Sequence, residues 1–153
     1  MPGAEPDRWV CGGDGWRIEK SYTLDGGALH VSFSVEGLRL PSVIQTRINL
    51  AMPSCDGYGG RYLLGDGSVP CGFGDALAVA ATTRLTLEDS ELGGALRIEA
   101  SHPVAIEGHA HRTVSQSEAG FEKIMQAVCL ELSWSPAQAP EMRIALRVIP
   151  AAP

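Results

Sequence analysis

The stretch Trp16–Glu36, WRIEKSYTLDGGALHVSFSVE, decides the fold class of this chain. Large apolar side chains occupy alternate positions in each half of it: Ile18, Tyr22 and Leu24, then Leu29, Val31, Phe33 and Val35. A period of two is typical of a β-strand with one buried face. Asp25-Gly26-Gly27 separates the halves, and an Asp-Gly pair between alternating runs is a strong signal for a tight turn. The stretch therefore predicts an antiparallel β-hairpin.

Further strands are predicted from the same alternation along the rest of the chain. They cover residues 43–52, 76–87, 95–100, 104–107, 110–114, 122–134 and 142–148. The 18 Gly and 10 Pro residues punctuate the chain too densely for long helices. Many short strands with little or no helix predict an all-β protein, a single antiparallel β-sandwich over residues 16–150. Residues 1–15 are rich in Gly, Pro and acids, so we expect a flexible lead-in there.

One polar residue stands out in the strand predicted over residues 122–134. Gln126 falls within a row of apolar side chains: Ile124, Val128, Leu130, Leu132 and Trp134. A buried amide needs hydrogen-bond partners, which the backbone at a bulge or a neighbouring strand can supply. We therefore expect a buried Gln126 with a structural role.

The charge of the chain restricts its partners. Its formal net charge at pH 7 is −6, and no basic cluster interrupts the sequence. Nucleic acid and anionic membranes attract basic surfaces, so we expect neither as a partner. The N-terminus lacks a basic and apolar signal pattern, and the longest apolar run is too short for a membrane span. These features predict a cytoplasmic protein or a fragment of a larger chain.

The longest predicted loop covers residues 53–74, with CDGYGG, LGDGS and PCGFG in quick succession. A loop of this length within a compact domain is often functional. Cys55 and Cys71 flank its Gly-rich part and could meet in space. A reducing compartment disfavours a disulfide between them, so free thiols are the expectation.

Three motifs carry a resemblance to a known family. They are Ile48–Met52, Leu85–Asp89 and Val114–Glu122, the last followed by Gln126. In these motifs and their order, over residues 16–149, the chain resembles the C-terminal β-sandwich domain of glycoside hydrolase family 57. This is the α-amylase and 4-α-glucanotransferase group, and the domain belongs to the galactose-mutarotase-like superfamily of large sandwiches.

The resemblance implies a function without catalysis by this chain itself. Enzymes of this group hold their catalytic carboxylates in a separate (β/α) barrel, which a 153-residue chain of short strands cannot contain. We expect an accessory domain that packs against the catalytic barrel of a parent enzyme, contacts α-glucan and uses no cofactor. An apolar patch at the barrel contact could also drive a homodimer of the isolated chain.

Residues suited to sugar contact are concentrated in the predicted loop. Aromatic rings bind the C–H face of a pyranose, while carboxylate and Arg groups bind its hydroxyls. Aromatic residues make up only 6% of the chain, so their concentration here indicates a carbohydrate site. Its candidate residues are Tyr58, Arg61, Tyr62, Asp66 and Phe73. The alternative is that Tyr62 and Phe73 cap the core beneath the loop.

Two further hypotheses use the histidines. His109 and His111 share one face of a predicted strand, so with Glu118 as an extra ligand they could bind Zn²⁺ or another divalent ion. The alternative is a solvated polar face. A sugar epimerase or mutarotase needs a general acid and a general base, which His102, His109 or His111 could form with Glu118 or Glu122. Only fold-level analogy points to that activity.

Overall fold

A computed structural model of the chain describes residues 7–39, 41–54, 59–117 and 120–150. This part forms nine β-strands that pair antiparallel and contains no helix. The strands are β1 (Asp7–Gly13), β2 (Trp16–Asp25), β3 (Ala28–Glu36), β4 (Ile44–Leu50), β5 (Gly60–Leu64), β6 (Leu77–Asp89), β7 (Gly94–Ser117), β8 (Gly120–Trp134) and β9 (Glu141–Pro150). The predicted all-β, antiparallel fold is confirmed. No helix in the described ranges is long and apolar enough to cross a membrane.

The hairpin predicted from Trp16–Glu36 is formed by β2 and β3. Asp25 pairs with Ala28, which leaves Gly26 and Gly27 as a two-residue loop. Both glycines have positive φ angles, 56° and 73°, as the tight turns that match the twist of a hairpin require. An L side chain at either position would meet a steric penalty, so the Gly-Gly pair determines where the chain reverses.

The strands form two layers that share β6 and β7. The first layer has the order β1-β2-β3-β9-β7-β6-β5. In the second layer, β8 pairs with β4 on one side and with residues 105–117 of β7 on the other. The N-terminal end of β7 pairs instead with β9, so this 24-residue strand passes from one layer into the other. The two layers of the sandwich are therefore connected through β6 and β7 themselves, without a loop.

Irregular pairing in β6 accompanies its passage between the layers. Its register with β7 shifts between Val79 and Thr82 and again between Thr82 and Arg84. The Thr82 hydroxyl donates to the carbonyl oxygen of Arg84 at 2.9 Å and accepts from the Arg84 amide at 3.1 Å. These local bonds satisfy backbone groups that the shifted ladder leaves unpaired, and a bulge bends its strand.

The core lies between the layers. Val31, Phe33, Met142 and Ile144 contribute from the first layer, and Val128, Leu130, Leu132 and Trp134 contribute from the second. The rings of Phe33 and Trp134 meet edge to face, with centroids 5.1 Å apart. Burial of each such side chain contributes about 1.5–3 kcal/mol, so this apolar contact is the main force that holds the two layers together.

The flexible lead-in expected over residues 1–15 is corrected for residues 7–13, which form β1. This strand pairs with β2 from Asp7↔Tyr22 to Gly13↔Trp16. Its sequence has no clear apolar alternation and ends in two glycines, so local pattern gave no strand signal. The neighbouring strand β2 supplies the hydrogen-bond partners that order it. Residues 1–6 lie outside the described part of the chain.

The loop predicted over residues 53–74 contains a strand, β5, so the prediction of an unbroken loop is wrong. Residues Gly60–Leu64 pair with the C-terminal end of β6, and Arg61 forms a bridge with Gly72. Gly60 is required here because a Cβ atom would lie 2.1 Å from the Phe73 ring. The dense glycines that suggested a loop therefore include one that allows close packing within a sheet.

Three short strands predicted between residues 95 and 114 are one continuous strand, β7. Gly108 was predicted to separate two of these strands, but it lies in the middle of β7. A Cβ atom at Gly108 would lie 3.1 Å from both Leu77 and Leu130, so the glycine accommodates close packing and does not end the strand.

Gln126 is exposed at a bulge, which corrects the expectation that it is buried. The β7–β8 register runs from His111↔Ala127 to Arg112↔Met125, so Gln126 is the extra residue of β8. The bulge shifts by one residue which side chains of β8 face the core. Val128 is buried after the bulge and Met125, at 5% exposure, is buried before it. Met125 therefore takes the core position that simple alternation would assign to Gln126.

Candidate functional site

The inner face of the first layer is left open where the second layer ends at β4. Among the described strands β4 pairs only with β8, so its other edge is free. Between this edge and the sheet lies a recess of 620 Å³ lined by Trp9, Ile18, Lys20, Tyr22, Phe33, Val43, Ile44, Gln45 and Thr46. A second recess of 260 Å³ shares Lys20, Tyr22 and Thr46 with the first. We call the two together the edge groove.

Two partly exposed aromatic rings form one wall of the edge groove. Trp9 on β1 pairs with Lys20 on β2, and Tyr22 follows two residues later on the same face. Trp9 is 54% exposed and Tyr22 is 37% exposed. The pairing of β1 with β2 therefore places a Trp ring and a Tyr ring on the same open face, with Lys20 directly opposite Trp9.

Lys20 lies among these aromatic side chains. Its Nζ atom is 5.0 Å from the centroid of the Tyr22 ring and 5.2 Å from that of Phe33. An ammonium group at this distance is attracted to the ring faces. The Lys20 ammonium group therefore lies at the wall of the edge groove, where its N–H groups can donate to a ligand.

The chemistry of the edge groove suits binding. Neither recess is lined by a carboxylate, a His or a Cys, so the groove lacks an acid–base pair or a nucleophile of those types. Apolar rings with a few polar groups are typical of sites for small organic ligands, and the volume is within their usual range. Rings that accept the C–H face of a sugar and a Lys that donates to its hydroxyls are both present.

A larger and more open cleft of 750 Å³ lies at the other side of the first layer, by β5 and the β6–β7 turn. Its walls include Arg61, Glu88, Asp89 and Ser90. Arg61 Nε donates to Glu88 Oε2 at 2.7 Å, so the main cation of the cleft already has a carboxylate partner. No aromatic side chain lines this cleft.

Asp89 at the floor of this cleft has a structural role. Its side chain accepts four hydrogen bonds: from Ser54 N at 2.9 Å, Ser54 Oγ at 2.5 Å, Glu91 N at 2.9 Å and Leu92 N at 3.1 Å. Burial of the carboxylate opposes its charge, but these donors outweigh burial and hold the pKa of Asp89 below its ordinary value. Asp89 therefore ties the chain after β4 to the β6–β7 turn.

Tyr62 and Phe73, predicted to contact sugar, lie in the core. They are 0% and 1% exposed, with ring centroids 5.2 Å apart in an edge-to-face contact. Neither ring has a face open to a ligand, which corrects their assignment as a stacking platform. Alternation along β5 places Arg61 on the opposite, exposed face, so the structure does not bring Arg61 together with these rings.

The other predicted sugar residues are exposed or lie outside the described chain. Asp66 is exposed, and its Oδ1 atom accepts from Ser68 N at 2.9 Å and from Ser68 Oγ at 2.7 Å. The hydrogen bond from the Ser68 hydroxyl, and to a lesser extent that from the Ser68 amide, lowers the pKa of Asp66. Tyr58 and Cys55 are not among the described residues. Cys71 is a free thiol whose pKa is raised by burial.

The candidate metal ligands lie on the outer face of the second layer. His109 and His111 are both exposed on β7 and share that face, as predicted. Within the described ranges no group of three or more His, Cys, Asp or Glu side chains is arranged to hold a metal ion. Glu118 is outside those ranges, so the metal site and the His-acid pair remain predictions.

Sequence reasoning missed the edge groove. Trp9 falls in the predicted lead-in, and Tyr22 enters the prediction only as one residue of a strand face. The available signal was Lys20 itself, a cation on the otherwise apolar face of β2 between Ile18 and Tyr22. A Lys at such a position, next to an aromatic residue, indicates a face that opens to solvent.

Comparison with solved structures supports the fold. The structure is similar to the crystal structure of 4-α-glucanotransferase from Thermococcus litoralis, with a TM-score of 0.60 and 19% sequence identity. The match covers 88% of this chain but only 18% of that one. It is also similar to the Slr1438 protein from Synechocystis sp. PCC 6803, with a TM-score of 0.46, 13% identity and coverage of 93% and 60% of the two chains. No curated protein matches the sequence.

Comparison with family models identifies the relatives of the sequence. Residues 6–148 match the model described as alpha-amylase/4-alpha-glucanotransferase, C-terminal. The match includes the three motifs from which the resemblance was predicted, and it extends through β1. The chain therefore belongs to the family of C-terminal domains of α-amylases and 4-α-glucanotransferases.

Proposed function

We propose that this chain is a non-catalytic accessory domain of an α-glucan-processing enzyme, and that its edge groove contacts the glucan. The observation that carries the first part is the family match over residues 6–148. The chain spans 18% of the length of the Thermococcus litoralis 4-α-glucanotransferase. The catalytic work of such an enzyme belongs, in this proposal, to a separate domain of the parent protein.

Packing against that catalytic domain is supported by an apolar surface beyond the edge groove. Leu24 pairs with Leu29, and Leu29 pairs with Leu146, on the same inner face of the first layer. Leu24 and Val148 are 79% and 60% exposed, and Leu29 is 38% exposed. A contiguous apolar patch on an otherwise ordinary surface is typical of a contact with another domain.

Glucan contact is supported by the pair of rings in the edge groove. Trp9 and Tyr22 present apolar ring surface to solvent, and Lys20 places a hydrogen-bond donor between them. A pyranose that stacks on one ring leaves its hydroxyls within the groove for the polar groups of the Lys20 and Thr46 side chains. An aromatic ring buries apolar contact area on stacking and loses little side-chain entropy. Because a glucan repeats the same sugar unit, two rings suffice for weak binding to it.

Affinity electrophoresis in gels that contain soluble starch tests this contact. The wild-type chain should be retarded, and Trp9→Ala and Tyr22→Ala should each weaken the retardation about tenfold or more, as loss of a stacked ring predicts. Phe121→Ala is the matched control, because Phe121 is 79% exposed but lies on β8, away from the groove. Its migration should equal that of the wild type.

A different pattern would move the contact elsewhere. If Tyr58→Ala or Arg61→Ala abolishes retardation while Trp9→Ala does not, the glucan binds the loop first predicted from the sequence and the edge-groove proposal is wrong. The accessory role has its own test. Turnover of maltooligosaccharides, or faster mutarotation of fresh α-glucose, by the purified chain would overturn it.

A further inference from the structure

The outer face of the first layer carries two arginines that face each other. Arg97 on β7 pairs directly with Arg147 on β9. Residues opposite each other in an antiparallel ladder have Cα atoms about 4.5–5.5 Å apart, and like charges there are destabilising. We call Arg97 and Arg147 the arginine pair. This face is opposite to the edge groove, so the arginine pair is independent of glucan binding in that groove.

Apart from Arg143, the other arginines of the same face have acidic partners, and the arginine pair does not. Ion pairs join Arg8 and Arg17 to Glu19, Arg61 to Glu88, and Arg84 to Glu99. Neither Arg97 nor Arg147 forms an ion pair with any residue in the described ranges. Two positive charges on adjacent strands are therefore left without a carboxylate.

The nearest acids do not compensate this charge. Glu99 lies two residues from Arg97 on the same face, but its carboxylate is bound to Arg84 at 3.2 Å. Asp25 lies two strands from Arg147, with Ala28 between them, and makes no ion pair with it. In a chain whose net charge is −6, such a local excess of positive charge is unusual.

Two further features favour an anion at the arginine pair. Arg147 Nη1 donates to the carbonyl oxygen of Gly26 at 3.0 Å, which fixes the position of its guanidinium. Arg97 Nε is buried and finds no acceptor among the described residues. A guanidinium group with an unsatisfied donor favours an anionic acceptor, because a hydrogen bond between charged groups is stronger than one between neutral groups.

Arg147 is exposed and Arg97 is half-buried, so a small ligand would approach the arginine pair from the solvent side. The neighbours of Arg147 in the sheet are Ala28, which is fully buried, and Ala145, and the neighbour of Arg97 on β6 is Thr86. Ala28 and Thr86 are buried, so a ligand would lie over the guanidinium groups and not between the strands. A ligand there would meet two guanidinium groups from one side.

We infer that the arginine pair binds a phosphate dianion. Two guanidinium groups carry a charge of +2, which a phosphate monoester or free phosphate at neutral pH balances, whereas a single carboxylate does not. Guanidinium also matches the geometry of phosphate by forming two parallel hydrogen bonds. Free phosphate and a phosphorylated sugar share this chemistry, and both are used as probes.

Thermal unfolding with added phosphate, against sodium chloride of equal ionic strength, tests the inference. At a phosphate concentration about ten times the dissociation constant, the melting temperature should rise by about 3 °C or more. Arg97→Gln and Arg147→Gln should each raise the dissociation constant, measured by calorimetry, about tenfold. Without phosphate, each variant should melt no lower than the wild type, since the repulsion between the pair is removed.

Arg143→Gln is the matched control. Arg143 lies on the same strand and the same face, also without an ion pair among the described residues, but four residues or about 13 Å from Arg147. This variant should keep the phosphate response, because charges at that distance are screened in ordinary salt. An equal response in all four proteins, or none in the wild type, would overturn the inference. Glucose 6-phosphate then identifies the source: binding tighter than that of phosphate indicates a sugar phosphate, and equal or weaker binding indicates free phosphate.

Discussion

Replacement of Asp89 by Ala should cause a large loss of stability, because it removes four hydrogen bonds at once. Asp89 is 2% exposed and Ser54 is 3% exposed, so the Ser54 amide and hydroxyl would be left buried without an acceptor. Each buried donor left unsatisfied costs about 1–3 kcal/mol, and the partly buried Glu91 and Leu92 amides add to this. We expect the free energy of unfolding to fall by about 4 kcal/mol and the melting temperature by about 10 °C.

Urea unfolding of Asp89→Ala beside Asp66→Ala measures the effect. Asp66 also accepts from a serine amide and hydroxyl, those of Ser68, but it is exposed, so its removal should change stability only slightly. An equal loss in the two variants would refute the reasoning, since Asp89 is buried and accepts two further amide hydrogen bonds, whereas Asp66 is exposed.

The pH dependence of the Asp89 contribution has a definite sign. The folded-state pKa of Asp89 is lowered, so its contribution to stability is complete above the unfolded-state pKa of about 3.9. It is lost as the pH falls through the lower, folded-state pKa. The difference in unfolding free energy between the wild type and Asp89→Ala should therefore be constant above about pH 5 and shrink below it. A difference that grows as the pH falls would contradict the assigned bonds.

Four further variants test other parts of the structure. Gly60→Ala places a methyl group 2.1 Å from the Phe73 ring and should reduce the free energy of unfolding by about 1–3 kcal/mol in urea titrations. Met125→Ala should cost about 2–5 kcal/mol while Gln126→Ala is nearly neutral; the reverse order would disprove the bulge. Glu19→Gln removes an exposed ion-pair partner, so any drop in melting temperature should be small and should disappear in 1 M salt.

The strands were predictable wherever one buried face leaves a period of two in the sequence. β3 and β9 alternate without interruption and β2 does so except at Lys20. Asp25-Gly26-Gly27 marks the reversal because few residues other than glycine adopt those φ angles. β1 and β5 were not predictable in this way. Both are short, β1 ends in two glycines and β5 begins with one, and both are ordered by hydrogen bonds to a longer neighbouring strand.

The candidate site was predicted poorly, because exposure is a property of the assembled layers. Tyr62 and Trp9 are both aromatic residues near glycines in the sequence. Tyr62 is fully buried because β5 lies over the core, whereas Trp9 is exposed because β1 extends past the end of the second layer. Nothing within a few residues of either ring distinguishes the two cases.

By itself, the amino-acid sequence determined the all-β class, the central hairpin and the family, since period, turn residues and motif order are local properties of a chain. The tertiary structure alone decided which side chains a ligand can reach. The edge groove is built from residues as far apart in sequence as Trp9, Tyr22 and Thr46, and the arginine pair joins β7 to β9. Such contacts depend on the pairing register and on where each layer ends, which are set by the packing of the whole sandwich.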